Sequence, residues 1–178
     1  MGSTSDPTID RLTTLFGTHP AWRQAAGHLA RHAESAVYFR HLPGRAWRLT
    51  RRGGETHLLE DRADDPDFAF CFTPAAVDRL ASVRGDDVGD FAVALFSCIV
   101  DPDESHGIGF RIVAPFSRLV LRGYLRLVLA AGPKLLAFGA ARGIRTLGEL
   151  QHLVRQVRQT EPAAWETDGD AHAPDRER

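Results

Sequence analysis

Cysteine is nearly absent. Cys71 and Cys98 are the only two in 178 residues. Each sits inside an apolar run rather than in a turn, which excludes a disulfide framework and suits buried, reduced thiols. A cytoplasmic protein is the expectation. A stretch able to cross a bilayer is also missing: the best candidate, 119–138, is interrupted by Arg122, Arg126, Pro133 and Lys134, each costly at a bilayer centre. The opening residues MGSTSDPTID hold no apolar signal core, and Asp6 stands where a myristoylation signal has Ser or Thr. Neither an export signal nor an acyl anchor is expected.

Catalytic signatures are lacking as well. None of Ser82, Ser97, Ser105 and Ser117 lies in a G-x-S-x-G elbow, and neither cysteine has a neighbouring basic residue to lower its pKa. Gly107 and Gly109 form a fragment without the third glycine of a phosphate loop. His28 and His32 are four apart on a stretch that reads as helix, a spacing at which two imidazoles can share a metal. The motif HLARH has no Glu after its first His, however, and no third ligand is identifiable. Asp101, Asp103 and Ser105 resemble the start of a calcium loop, but His106 stands where that loop turns on Gly and Ile112 where it places its bidentate Glu. Exposed histidines and a solvated turn are therefore expected. No catalytic residue, metal or cofactor is assigned, and a non-enzymatic protein is the reading.

Net charge is only −1, yet the charges are segregated. From Glu55 to Glu104 thirteen acids stand against Arg62, Arg79 and Arg84; from Gly107 to Arg158 nine bases stand against Glu149 alone. The two blocks can pack side by side and neutralise each other, or the basic one can face an anionic partner. Arg118, Arg122 and Arg126, four apart, would form a cationic stripe if helical, a device for transient contact with an anionic membrane surface. Exposed aromatics do not interleave with the arginines and overall charge is not basic, which argues against nucleic acid.

What is abundant is apolar sequence in a definite order. Asp6-Pro7 caps a first helix with Ile9, Leu12, Leu15 and Phe16 on one stripe. Trp22, Ala25, Ala26 and Leu29 continue the period to about Ala33. Extended segments follow from Ala36, Arg45 and Glu55, divided by Pro43-Gly44 and Gly53-Gly54, which reads as a meander of hairpins covered on one side. Phe68, Phe70 and Phe72 alternate with Ala69 and Cys71 in an interior strand. Thr73-Pro74 caps a short helix, and Asp86-Asp87 begins another with Val88, Phe91, Ala92, Leu95, Phe96 and Ile99 on its stripe. Ile108 to Val113 looks extended. Arg118 to Gly123 alternates Leu119, Val120 and Leu121 between arginines and is read as a strand passing into a helix at Gly123. Thr146 and Glu149 form a capping box for a last helix. The whole is an α+β domain over 8–159, with a largely antiparallel sheet of five or six strands covered on one face by helices. Residues 1–7 and the acidic tail 160–178 are expected to be disordered, with Trp165 a possible docking point.

This order, with Trp47 in the second strand, DFAFCFTP leading into AAVDRL, then FAVALF, then RLVLRG followed by YLRLVL, resembles the sterol carrier protein type two domain over 36–131. The chain departs from that family between Phe96 and Ser117, where about twenty residues stand in place of a quick passage to the last strand. The resemblance implies a hydrophobic tunnel between sheet and helices that binds sterol, fatty acyl or prenyl lipid without catalysis. Phe70, Phe72, Leu80, Phe91, Leu95, Phe96, Leu121 and Leu127 are the residues expected to line it. The same side chains could close on one another as an ordinary core. A protein-interaction module using the basic C-terminal region, with Arg142, Arg145, Arg155 and Arg158, is the alternative.

Overall fold

A computed structural model describes residues 6–143 and 164–167. Among these, three helices start where the sequence supplies a side-chain oxygen for the free amides of the first turn. Asp6 accepts from the Thr8 amide at 2.8 Å ahead of α1 (Pro7–Thr18), and α2 (Pro20–Gly27) follows directly. Thr73 Oγ1 accepts from the Ala76 amide at 3.2 Å for α3 (Pro74–Ala81). Asp87 accepts from the Gly89 and Asp90 amides for α4 (Val88–Ile99).

The strands are β1 (Glu34–Phe39), β2 (Trp47–Arg52), β3 (Glu55–Leu59), β4 (Phe68–Phe72) and β5 (Ile108–Ile112). They form one sheet in the order β3-β2-β1-β4-β5. β1–β2, β2–β3 and β4–β5 are antiparallel, while β1–β4 is parallel. The register aligns Val37 with Phe70 and Phe70 with Phe110. Because side chains alternate along a strand, one inner face collects Val37, Phe39, Trp47, Leu49, Phe68, Phe70, Phe72, Ile108, Phe110 and Ile112. Leu12, Leu15 and Phe16 of α1, Val77 and Leu80 of α3 and Phe91 and Cys98 of α4 cover the Trp47–Phe72 side of it in one buried cluster. The α+β architecture with five strands is thus as expected.

Three local expectations are corrected. The second helix ends at Gly27, not near Ala33; His28 is its cap and His32 lies in a turn, so the two imidazoles do not share a helix face. The Ala30 amide donates instead to the Arg122 carbonyl at 2.9 Å. Arg118–Gly123 is not a strand: α5 spans Phe116–Leu121, and α6 (Tyr124–Ala140, interrupted by non-helical geometry at Gly132) follows Gly123. The fifth strand is Ile108–Ile112. The reason is electrostatic. Arg118 and Arg122 both reach Asp65 and Asp67, and residues four apart lie ~6 Å from each other on a helix but ~13 Å apart along a strand. Finally, Ala164–Thr167, inside the stretch read as a disordered tail, form a helical turn, α7, seated on the sheet. The expected helix over 146–157, together with Arg145, Arg155 and Arg158 and the termini 1–5 and 168–178, lies outside the described residues.

Candidate functional site

The inner face of the sheet is not covered evenly. On the Trp47–Phe72 side the side chains are sealed: Phe72 and Trp47 are each 2 % exposed. On the β4–β5 side Phe68, Phe70 and Phe110 are only partly buried. Their rings form a continuous floor, with Phe68 on Phe110 at 5.5 Å, Phe70 against Phe110 at 5.3 Å and Phe70 on Phe72 at 5.9 Å. These separations are in the range favoured by aromatic pairs. Tyr124, the first residue of α6, stands edge-on to Phe68 at 4.8 Å, and Phe70 and Leu95 of α4 both pack at the margin of the sealed cluster. The floor thus lies where the cover given by α4 meets that given by α5 and α6.

At one end of this floor sits Asp67, fully buried. Its carboxylate accepts from Arg122 Nη1 at 2.9 Å and from the Tyr124 hydroxyl at 3.0 Å, and Arg118 Nε lies 3.3 Å away. Its main chain is used too: its amide donates to Glu34, and its carbonyl accepts from Val113 and Ala114. Burial raises the Asp67 pKa, with Arg122, Tyr124 and Arg118 pulling it back. Burial also raises the Tyr124 pKa, and the neighbouring Asp67 charge adds to it, so the phenol stays neutral and donates. The cluster pins α5 and the start of α6 to the ends of β4 and β5. A buried charge group of this kind is satisfied only while all its members are in place.

The eight residues expected to line a lipid site are distributed over this architecture. Phe72, Leu80 and Phe91 belong to the sealed core, with Phe70 and Leu95 packed at its margin. Phe96 is partly buried on α4. Leu127 joins a second cluster with Ala25, Val88 and Ala131 between α2, α4 and α6. Leu121 points outward and is 82 % exposed. The structure therefore brings five of the eight into one cluster and sends Leu121 to the surface. Phe68, Phe110 and Tyr124 were not among the eight. The alternation of Phe110 with Ile108 and Ile112 was the signal for one of them, and Phe68 leads the same alternation as Phe70.

Among the described residues, open grooves lie away from this floor. One of about 620 Å³ runs between α1 and the end of α3, past Arg11, Thr14, Leu15 and His19. Another, of about 300 Å³, is bordered by Tyr38, Arg40, Leu42, Glu104 and Trp165. None of the eight residues lines either groove.

Reactive groups are held quiet. Burial pushes the Cys71 thiol up to about 11 and raises that of Cys98, so both are protonated at neutral pH. Asp103, hydrogen-bonded by Ser105 and His106, is pulled down to about 2, as in a self-satisfied turn. Among the described residues, no group of three or more His, Cys, Asp or Glu is placed to hold a metal ion, and no helix is long and apolar enough to cross a membrane. No family model, curated protein or solved structure matches the chain.

Proposed function

We propose that this protein binds a hydrophobic ligand, a fatty acyl, prenyl or sterol-type lipid, on the aromatic floor of Phe68, Phe70 and Phe110 beneath α4 and α6. The observation that carries the reading is the contrast within one sheet face. Trp47 and Phe72 are sealed, whereas Phe68, Phe70 and Phe110 stay partly open between the buried Ile108 and Ile112. An acyl chain gains ~0.8 kcal/mol for each methylene it buries, so a dozen methylenes offset the cost of ordering with affinity to spare. The neutral Tyr124 hydroxyl and the Asp67 cluster give the floor a polar end. The resemblance of 36–131 to the sterol carrier domain points the same way, although the segment likened to the family's last strand is helical here.

A lipid must reach the floor from somewhere, and the exposed side chains of α5 and α6 offer a route. Leu121, Leu129 and Leu136 are 82 %, 67 % and 61 % exposed. Arg118 and Arg122 are tied to Asp65 and Asp67, so of the stripe proposed for an anionic membrane surface Arg126 is the exposed member. In this reading membrane contact rests on the leucines with Arg126. The test is extraction of the purified protein with organic solvent followed by mass spectrometry. A stoichiometric lipid is expected. Lipid-free protein that also takes up none from vesicles of mixed neutral and anionic lipid overturns the reading.

A further inference from the structure

The opposite face of the sheet carries a separate feature. There Ala69 and Cys71 are fully buried, and the residue covering β5 comes from far along the chain. Trp165 of α7 lies over Gly109: a methyl group added at Gly109 would stand 3.2 Å from the indole Nε1 and 3.1 Å from the Cys71 Cβ. Tyr38 on β1 flanks the indole at 5.1 Å between ring centroids. A glycine inside a strand weakens it and commonly marks a close approach by another group; here the vacated volume is filled by the indole. Two residues along β5, Arg111 is paired with Glu166 through two parallel hydrogen bonds, Nε to Oε1 at 2.6 Å and Nη2 to Oε2. Both side chains are at most 10 % exposed. This two-pronged fork is the strong, directional form of carboxylate recognition. Glycine notch, flanking tyrosine and buried arginine thus read a Trp followed by an acid, and the adjoining groove of about 300 Å³ continues past Ala164 toward Leu42 and Glu104.

We propose that the outer face of β4–β5 is a docking site for a Trp-acid peptide segment, and that Ala164–Thr167 is its resident occupant, a latch that a matching segment can displace. Twenty residues separate Gly143 from Ala164, and α7 contributes no strand to the sheet, so the latch can leave without breaking a strand pairing. Tethering gives the resident segment an effective concentration on the order of millimolar, which keeps the site closed against casual competitors. Release would uncover Cys71 and leave Arg111 ready for an acidic partner. The site lies on the other side of the sheet from the aromatic floor and is independent of the lipid reading.

The test uses the full chain and a labelled peptide of residues 160–169, TEPAAWETDG. The double variant Trp165→Ala, Glu166→Gln empties the site. It is expected to bind the peptide at least about tenfold more tightly than the wild type, whose own segment competes. Adding Arg111→Gln to it should abolish binding. Glu166→Gln alone, which keeps the indole, should give a smaller gain. In a Cys98→Ser background, alkylation of Cys71 should accelerate several-fold once the latch is removed. Equal peptide binding to wild type and folded double variant, or no binding to either with Cys71 unchanged, overturns the proposal. A wild-type dimer that the peptide dissociates also overturns it, because the segment would then dock on a second copy.

Discussion

At the scale of single residues, Asp67 organises the candidate site. Replacing it with Ala leaves Arg118 and Arg122 beside the sheet without their buried counter-charge, and breaking a buried pair from one side costs ~3–5 kcal/mol. Urea denaturation should show that loss, whereas Asp64→Ala, whose side chain is 93 % exposed, should change stability by less than ~0.5 kcal/mol. Nothing in the run DRADDPD distinguishes these aspartates. Burial of Asp67 is decided by α5 returning about fifty residues later, a non-local event with no local signature. Cys71 carries a pH prediction. Its folded pKa of about 11 lies above the ordinary 9.0 because of burial, so the folded state keeps its proton where the unfolded state has lost it. Its contribution is fully present below pH 9 and is lost as pH rises through 11. Chemical denaturation between pH 8.5 and 11 should show stability falling, with a shallower fall in Cys71→Ala.

Among the elements, the junction of α5 and α6 is the most constrained. Gly123 has φ +90°, and a Cβ there would lie 2.1 Å from the His28 carbonyl oxygen. Gly123→Ala therefore combines a left-handed backbone with a main-chain clash, at a combined cost of about 2–4 kcal/mol. A thermal melt should show it by a fall of several degrees or more. The helix starts at Asp6, Thr73 and Asp87 were legible because a cap is a local signal three or four residues long. Helix α5 was not, because Leu-Val-Leu between arginines fits period 2 as well as period 3.6 over only six residues. What decides for helix is the pair of carboxylates at Asp65 and Asp67, which the sequence separates from α5 by the whole of β4, α3, α4 and β5.

Across the whole molecule, the segregated charges meet one another. Arg118 and Arg122 of the basic block hold Asp65 and Asp67 of the acidic one, and Lys134 holds Asp87 and Asp90 at 2.8 Å. Three bases of the basic block thus pair with the acidic one, whereas Arg111 holds Glu166, Arg142 lies over the Phe138 ring and Arg126 is exposed. The apolar surplus resolves less evenly. Most of it closes into a core, as Phe72, Leu80 and Phe91 show, while Phe68, Phe70 and Phe110 remain partly open. That division was illegible in DFAFCFTP, whose three phenylalanines look alike; it depends on which of them α1, α3 and α4 cover. Stability separates the two sets: Phe72→Ala should cost ~3–5 kcal/mol, and Phe110→Ala, from a partly exposed site, less than ~2 kcal/mol. Lipid binding on the aromatic floor is measured most directly by titration of a fluorescent fatty acid into wild type and Phe110→Ala, with the fold of each checked by circular dichroism. Saturable binding to the wild type is expected, displaced by unlabelled lipid and weakened at least about tenfold, or ~1.4 kcal/mol, in the variant. Absence of saturable binding, or binding that the variant leaves unchanged, would contradict lipid binding on the floor.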